Sequence, residues 1–556
     1  VFALINQLSA LLVWITGSPV FVNIFTSALL GAVSCMALCL MIYAFSRNAY
    51  ISIAGLLTII VLNMIRPGIV YPIWLYGMCH TYGILGLSFM VLTATLYGCR
   101  KYKWALICTG LAPSVHPSWG VFLALTLAAA GLINIKFCWL LAKKYWRYFA
   151  IGFGISILAL ILQMYWMRVL PTIDPEQKKL YLDNFIRYWD CHRQPLNFTH
   201  RSIWVAASCA VTALIGLLTL KFRSGTRFLL TALSAAGIFG FIGAYISHLP
   251  YDKVPLYVLM FMPGRYLNLS ILAFPALAVG LLFSRNLYRR PWSLLVYAGV
   301  LYFWYAKYSF LAFLNWQMLR YSLGLFDVFS VAFDILLTMT IILGITRYCM
   351  KKKIHPLTIL KFIKKQVNYP EAKGTLLVLL AIFFMFPVLC YFARSLINGN
   401  LLPSFYSSPT EKTSEFYARI AKDKGVLLNT PENYLISLKT KRPVWFDMGA
   451  LDGFPMVPEC AGKFNPGLQE IYGVSLLEKP GDKFCNQSVL PAEIHRTLWE
   501  KRSRQEWRNL AKKYKFTGII VPYSWKLQLN RSAELIEGPE SEENCGVSAY
   551  YTMLNE

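Results

Sequence analysis

Apolar stretches of about twenty residues, the length that crosses a bilayer, recur along the first 400 positions and alternate with short polar loops. Spans are predicted near 22–44, 51–65, 74–97, 104–133, 149–170, 202–220, 228–247, 257–283, 292–312, 326–346 and 374–397. The stretch up to Pro19 is apolar but interrupted by Asn6, Gln7 and Ser9, which suits a helix lying along the interface. The run 104–133 is too short for two full spans and carries Pro113 and Pro117 around His116. It predicts two short helices meeting at a broken turn, buried by protein or lining a cavity.

After Asn398 the pattern changes. Apolar runs shrink to strand length, acids appear in number, and turns rich in Pro and Gly recur. Helices are predicted at 414–423 and 491–514, and strands at 426–428, 443–447, 518–521, 533–536 and 549–554. The expected architecture is a polytopic α-helical membrane domain over 1–398, with about 11–13 spans, followed by a soluble α/β domain over 399–556.

Composition agrees with a membrane protein: 57% of residues are hydrophobic and the mean hydropathy is +0.49. The net charge of +27 would suggest nucleic acid in a soluble protein. Here the basic residues fall mostly in short loops, and nucleic-acid binding is set aside. Alternate loops differ in charge. One set holds Arg47, Arg100, Lys101, Lys103, Lys136, Lys143, Lys144, Arg147, Lys221, Arg223, Arg227, Arg285, Arg289, Arg290 and the run from Arg347 to Lys373. It is nearly free of acids and is expected to face the cytoplasm. The other set holds Arg66, the His116 turn, the loop 171–201, Tyr251 to Arg265, Asn315 to Arg320, and everything after Asn398. These are expected to face outward, which makes the C-terminal domain extracytoplasmic. The thirteen cysteines form no CxxC pair. Cys460, Cys485 and Cys545 lie in the outer domain, where one disulfide is expected.

No Asp or Glu precedes Asp174. The loop 171–201 then supplies Asp174, Glu176, Asp183 and Asp190 among Lys178, Lys179, Arg187, His192, Arg193 and Arg201. Its densest part is Trp189-Asp190-Cys191-His192-Arg193-Gln194-Pro195. A carboxylate there can act as general base on an acceptor hydroxyl, while His192 and Arg193 can hold an anionic phosphate. The alternative is a loop whose ions pair with one another and orient the helices. His116, freed by its two prolines, would face any cavity there, or would only satisfy the backbone groups the break releases. Arg265 in Pro263-Gly264-Arg265-Tyr266, and Arg66 in Arg66-Pro67-Gly68, are phosphate-binding candidates or interfacial arginines. Asp327 and Asp334 lie seven apart on one helix face; Asp327 suits the interface, and the deeper Asp334 a proton or cation path or a pair with a Lys or Arg of a neighbouring helix. Asp447 ends a predicted strand and is a weaker ligand candidate. Sequons occur at Asn197, Asn268, Asn486 and Asn530.

The His116-Pro117 turn, the Trp189–Pro195 loop, the Pro-x-Arg at 263–265 and the outer domain resemble the multispanning GT-C superfamily of membrane glycosyltransferases. In the outer domain the likeness rests on Leu427-Leu428-Asn429-Thr430-Pro431 and Arg442-Pro443-Val444-Trp445-Phe446-Asp447. The similarity is greatest to bacterial envelope proteins. It implies a polyprenyl-phosphate-linked sugar donor, used on the extracytoplasmic face of the bacterial inner membrane for envelope polysaccharide or glycolipid synthesis. Arg193, Arg265 and His116 would then hold the donor phosphate, with Arg66 and His192 nearby, and membrane lipid would surround the helices. A divalent cation is compatible with such sites, though no ligand cluster in the sequence marks one.

One feature departs from that pattern. Enzymes of this type carry their catalytic acid in the first outer loop, and this sequence has no acid there. The expectation is that a helix and loop precede Val1 in the natural chain; on the residues present, Asp190 is the candidate base. Two other readings stay open: a transporter or flippase for a lipid-linked or anionic solute, and a non-catalytic envelope-assembly protein.

Overall fold

A computed structural model describes residues 4–61, 73, 82–169, 173–189, 200–220, 222–250, 253–284, 411–430, 436–446, 457–478, 492–535 and 548–553. The predicted spans near 292–312, 326–346 and 374–397 lie outside these residues, as do Asp327, Asp334 and Asp447.

The N-terminal half is a bundle of apolar helices: α1 (Leu4–Thr16), α2 (Pro19–Ser46), α3 (Ala49–Val61), α4 (Tyr82–Gly98), α5 (Tyr102–Val115), α6 (Pro117–Ile133) and α7 (Ile135–Met167). After the short α8 (Pro175–Asn184) come α9 (His200–Thr219), α10 (Ser224–His248), α11 (Leu256–Met260) and α12 (Leu267–Leu282). Four stretches, Ile24–Ser46, Ile135–Met167, Ser224–His248 and Leu256–Leu281, are long and apolar enough to cross a membrane. This is a helical membrane protein. The predicted run 104–133 does fold as two short helices, α5 and α6, broken at His116. The predicted run 257–283 is not continuous. It breaks at Met262, in the left-handed region (φ 50°), and passes through a 3-10 turn, Pro263–Tyr266, before α12 begins.

Helix α7 gives a scale for the bilayer. Trp146 and Arg147, a third of the way along, and Tyr165 and Trp166, near its C-terminal end, are exposed, with exposed apolar residues from Phe149 to Met164 between them. Nineteen residues separate Trp146 from Tyr165, about 28 Å at 1.5 Å per residue, close to the ~30 Å of a hydrocarbon core. Aromatic rings at both edges of an apolar band are the usual interfacial arrangement.

Helices α5 and α7 approach closely because both carry small residues four apart, Gly110 with Ser114 and Gly152 with Ser156. A Cβ on Gly152 would overlap the carbonyl of Ile107. Ser156 Oγ donates to Gly110 O at 2.7 Å and to Ser114 Oγ at 3.0 Å.

The two ends of the bundle differ chemically. At one, Arg47 Nη2 donates to Gly98 O and to Thr226 Oγ1, both at 3.0 Å, tying the ends of α2 and α4 to the start of α10. Arg100, Lys101, Lys103, Arg223 and Arg227 cluster in the same connections. At the other end of α10, Gly243 backs onto the carbonyl of Pro263, 2.5 Å from where a Cβ would stand. Thr226 and Gly243 are seventeen residues apart, about 26 Å along a helix. The basic connections and the Arg265 turn thus lie at opposite ends of the bundle.

Residues 411–553 contain helices α13 (Glu411–Lys422), α14 (Ile436–Thr440), α15 (Glu459–Gly467), α16 (Ala492–Lys501) and α17 (Arg504–Tyr514). They flank a four-stranded sheet of order β1-β2-β4-β3, from β1 (Val426–Asn429), β2 (Phe516–Pro522), β3 (Ala533–Leu535) and β4 (Ser548–Thr552). β1 and β2 are parallel, and the other two pairings are antiparallel. Side chains alternate across this sheet. Leu428, Ile519 and Tyr551 enter one core with Trp499 and Trp507, while Leu427, Ile520 and Tyr550 enter another with Phe416 and Ile420. Burial on both faces explains why these strands read as continuous apolar runs.

Two predictions here are corrected. The predicted helix 491–514 is two helices, because Ser503 and Glu506 form a capping box that starts α17 afresh. The predicted strand 443–447 reduces to a single bridge, Val444 with Leu427. Beside it, buried Arg442 is fully engaged. Its guanidinium donates to the carbonyls of Gly425, Ile420 and Lys424 and to the hydroxyls of Tyr550 and Thr517. That saturation makes it a structural clamp. Cys460 is a free thiol, whereas Cys485 and Cys545 lie outside the described residues. Asn268 is fully buried in α12, so its sequon is inaccessible.

Candidate functional site

His116 ends one helix and starts the next. Its backbone N–H donates to Ala112 O at 3.1 Å, closing α5, and its backbone is extended (φ −158°, ψ 113°). Its Nδ1 then accepts from the backbone N–H of Trp119 at 3.4 Å, capping α6, whose first residue is Pro117. Pro113 and Pro117 explain the break, since neither can donate a backbone hydrogen bond. With Nδ1 accepting, Nε2 carries the proton of the neutral ring and remains a donor.

Rings enclose this turn. Tyr82, at the start of α4, stacks on His116 with centroids 4.3 Å apart and planes at 17°. Trp119 meets His116 edge-on at 6.5 Å and lies 5.8 Å from Tyr266. Tyr266 stacks on Phe122 at 4.1 Å. Tyr266 follows Arg265 in the 3-10 turn, and Arg265 is within electrostatic reach of His116. Residues 149 positions apart in sequence therefore meet at the end of the bundle opposite Arg47. Both sides of the meeting depend on glycine for space. A Cβ on Gly86 would lie 2.6 Å from His116 Cβ, and one on Gly243 would meet Pro263 O.

Among the described residues, this group carries donors and a positive charge and no carboxylate. Arg265 brings a fixed positive charge in a planar fork, His116 an N–H, and Tyr82 a buried hydroxyl with no hydrogen-bond partner among the described residues. Among the described residues up to Ser284, the only carboxylates are Asp174, Glu176 and Asp183, all on or capping α8. Such a set suits an anion. No group of three or more His, Cys, Asp or Glu able to hold a metal occurs among the described residues.

Of the residues singled out from sequence, His116 and Arg265 lie on two turns that pack together through Trp119, Phe122 and Tyr266. Arg66, Asp190, His192 and Arg193 lie outside the described residues. The described part of the 171–201 loop has a structural role. Asp174 caps α8 by accepting from the N–H groups of Glu176 and Gln177 at 3.0 and 3.1 Å. Asp183 pairs with Arg187 at 2.7 Å, and Lys178 with Glu459 at 2.5 Å. Asn184 Nδ2 donates to Leu477 O at 2.5 Å and Trp189 Nε1 to Glu478 O at 3.4 Å. Tyr181, Phe185, Ile186 and Trp189 share one apolar core with Leu428, Tyr472, Trp499 and Trp507. This loop is the seat on which the C-terminal domain is packed, and it carries the chain directly to Asp190.

Tyr82, Trp119, Tyr266, Gly86 and Gly243 were not singled out from sequence. Tyr82 with Gly86 one helical turn later is a signal only once the turn they face is known. No protein-family model matches this chain, and neither does any curated protein or solved structure.

Proposed function

We propose that this protein is a membrane glycosyltransferase of GT-C type that uses a polyprenyl-phosphate-linked sugar. The observation that carries the reading is the packing of the Arg265 turn, through Tyr266, against Trp119 and Phe122 of the His116 turn, on which Tyr82 stacks. A phosphate needs fixed donors where charge develops on the leaving group. Sugar rings pack on aromatic faces, and a lipid tail needs apolar helices beside the headgroup site.

In this reading Arg265 and the His116 Nε2–H hold the donor phosphate, with Arg66, His192 and Arg193 as further candidates. Asp190, one residue beyond the anchored Trp189, is the candidate base on the acceptor hydroxyl. The Lys- and Arg-rich connections at the Arg47 end favour a cytoplasmic location for that end. The Arg265 end and the domain seated on 173–189 would then be extracytoplasmic, in a bacterial inner membrane. Lipid-linked sugars are the expected substrates and membrane lipid the expected surroundings.

The test is consumption of a polyprenyl-phosphate sugar by the full-length protein in liposomes, alongside flux of an anionic solute in the same vesicles. Turnover that falls in Asp190→Asn and in Arg265→Gln supports the reading and both assignments. Full turnover in Asp190→Asn removes that residue from the base role. Solute flux without turnover of any lipid donor replaces the transferase with a transporter.

A further inference from the structure

After α8 the chain widens into a π turn, Phe185–Trp189. The domain that receives it has a π turn of its own, Leu468–Tyr472, directly after α15. Phe185, Ile186 and Trp189 of the first share one apolar core with Leu468, Ile471 and Tyr472 of the second. π turns are rare, and they occur frequently at functional sites.

The turn Phe185–Trp189 is held at both of its ends. Asn184, one residue before it, donates from Nδ2 to Leu477 O at 2.5 Å. Trp189, its last residue, donates from Nε1 to Glu478 O at 3.4 Å. Two consecutive carbonyls of the C-terminal domain therefore bracket it. They belong to a loop that leaves the second π turn at Gly473, in the left-handed region (φ 72°). That loop closes on itself where Glu478 N–H donates to Ser475 O at 3.4 Å.

A buried side chain shapes the loop. Asn465 of α15 is 4% exposed. Its Oδ1 accepts from Leu476 N–H at 2.6 Å, and its Nδ2 donates to Ser475 Oγ at 3.3 Å. Ser475 Oγ in turn accepts from Leu477 N–H at 3.2 Å. A buried amide engaged at both ends fixes its neighbours, because leaving either group unpaired is costly. Asn465 thus aims the two carbonyls from inside the C-terminal domain.

We propose that Asn465 is a positioning residue. Through the turn Ser475–Glu478 it clamps Phe185–Trp189, and so sets where the chain enters Asp190. The consequence for chemistry rests on the reading of Asp190 as the base; the clamp itself does not. The plain alternative is that Asn465 only satisfies buried groups of its own domain, which would leave the membrane loop indifferent to it.

The full-length protein in liposomes is compared with Asn465→Ala, Asn184→Leu and the double variant. Amide exchange is followed by mass spectrometry, beside turnover of a polyprenyl-phosphate sugar. Asn184 lies outside the C-terminal domain, so its variant keeps the test open if Asn465→Ala does not fold. In each single variant, exchange over 185–189 should rise at least about fivefold. The double variant should add little, since both changes break one clamp. The kcat should fall with the KM for the lipid donor unchanged, because the donor phosphate is held elsewhere. Unchanged exchange over 185–189 overturns the proposal. So does faster exchange with unaltered kcat, where Asp190→Asn abolishes turnover. Absence of turnover in the wild type removes the transferase reading, and the exchange result alone then decides the clamp.

Discussion

Gly86 reserves the place of His116: a Cβ at position 86 would stand 2.6 Å from His116 Cβ and 2.7 Å from Trp119 Cδ1. No side chain fits there unless the α5–α6 turn moves. Gly86→Ala should destabilise the bundle by about 1–3 kcal/mol, the usual cost of overpacking. It should also displace His116 from Tyr82 and weaken anion binding more than Gly154→Ala, since Gly154 faces open space. Thermal unfolding and donor-binding measurements on both variants check this.

The domain seat depends on polar contacts around an apolar core. Lys178 and Glu459 pair at 2.5 Å with side chains 40% and 14% exposed. A partly exposed pair contributes roughly 0.2–1 kcal/mol. Lys178→Glu should raise hydrogen exchange in 173–189 and 459–478, and the swap with Glu459→Lys should restore protection. Unchanged exchange in Lys178→Glu would mean that the apolar contacts of Phe185, Ile186 and Trp189 hold the seat alone.

His495 makes the C-terminal domain acid-sensitive. Burial lowers its pKa to about 4 from 6.5, partly opposed by its hydrogen bond to Tyr472 O at 2.7 Å, while Arg502 lowers it further. The unfolded chain then binds more protons than the folded one between these values, so stability rises with pH. The contribution is complete above about pH 6.5 and is lost progressively as pH falls toward 4. By pH 5 about 2 kcal/mol should be gone. Denaturant midpoints for this domain, followed by its tryptophans between pH 7.5 and 5 in full-length protein, measure the loss, and His495→Phe should flatten it.

The helical membrane class was legible because apolar runs of span length dominate, and His116 because two prolines flank it. Helix pairing was not legible: Gly110 and Gly152 matter only through each other. The loop 171–201 drew attention as the first acidic stretch, but Asp174 and Asp183 serve a cap and a local ion pair. Its apolar residues, Phe185, Ile186 and Trp189, carry the long-range packing, and their partners lie some 280 positions later. The clamp made by Arg442 was not legible, because its five acceptors come from segments that only the folded sheet assembles. Arg265 fell inside the apolar run predicted at 257–283, although Pro263-Gly264 is itself a turn signal and marks the break that follows the αL residue Met262.

The central claim is that Arg265 and His116 form one anion site at the end of the bundle opposite Arg47. A photoreactive polyprenyl-phosphate probe, crosslinked to full-length protein in liposomes and mapped by mass spectrometry, tests its location directly. The account predicts label on peptides spanning 112–122 and 261–267, reduced at least about tenfold in Arg265→Gln for a charged hydrogen-bonding partner worth 1.5–3 kcal/mol. Label confined to the connections around Arg47, Arg100 and Arg223, or unchanged in Arg265→Gln, would contradict it.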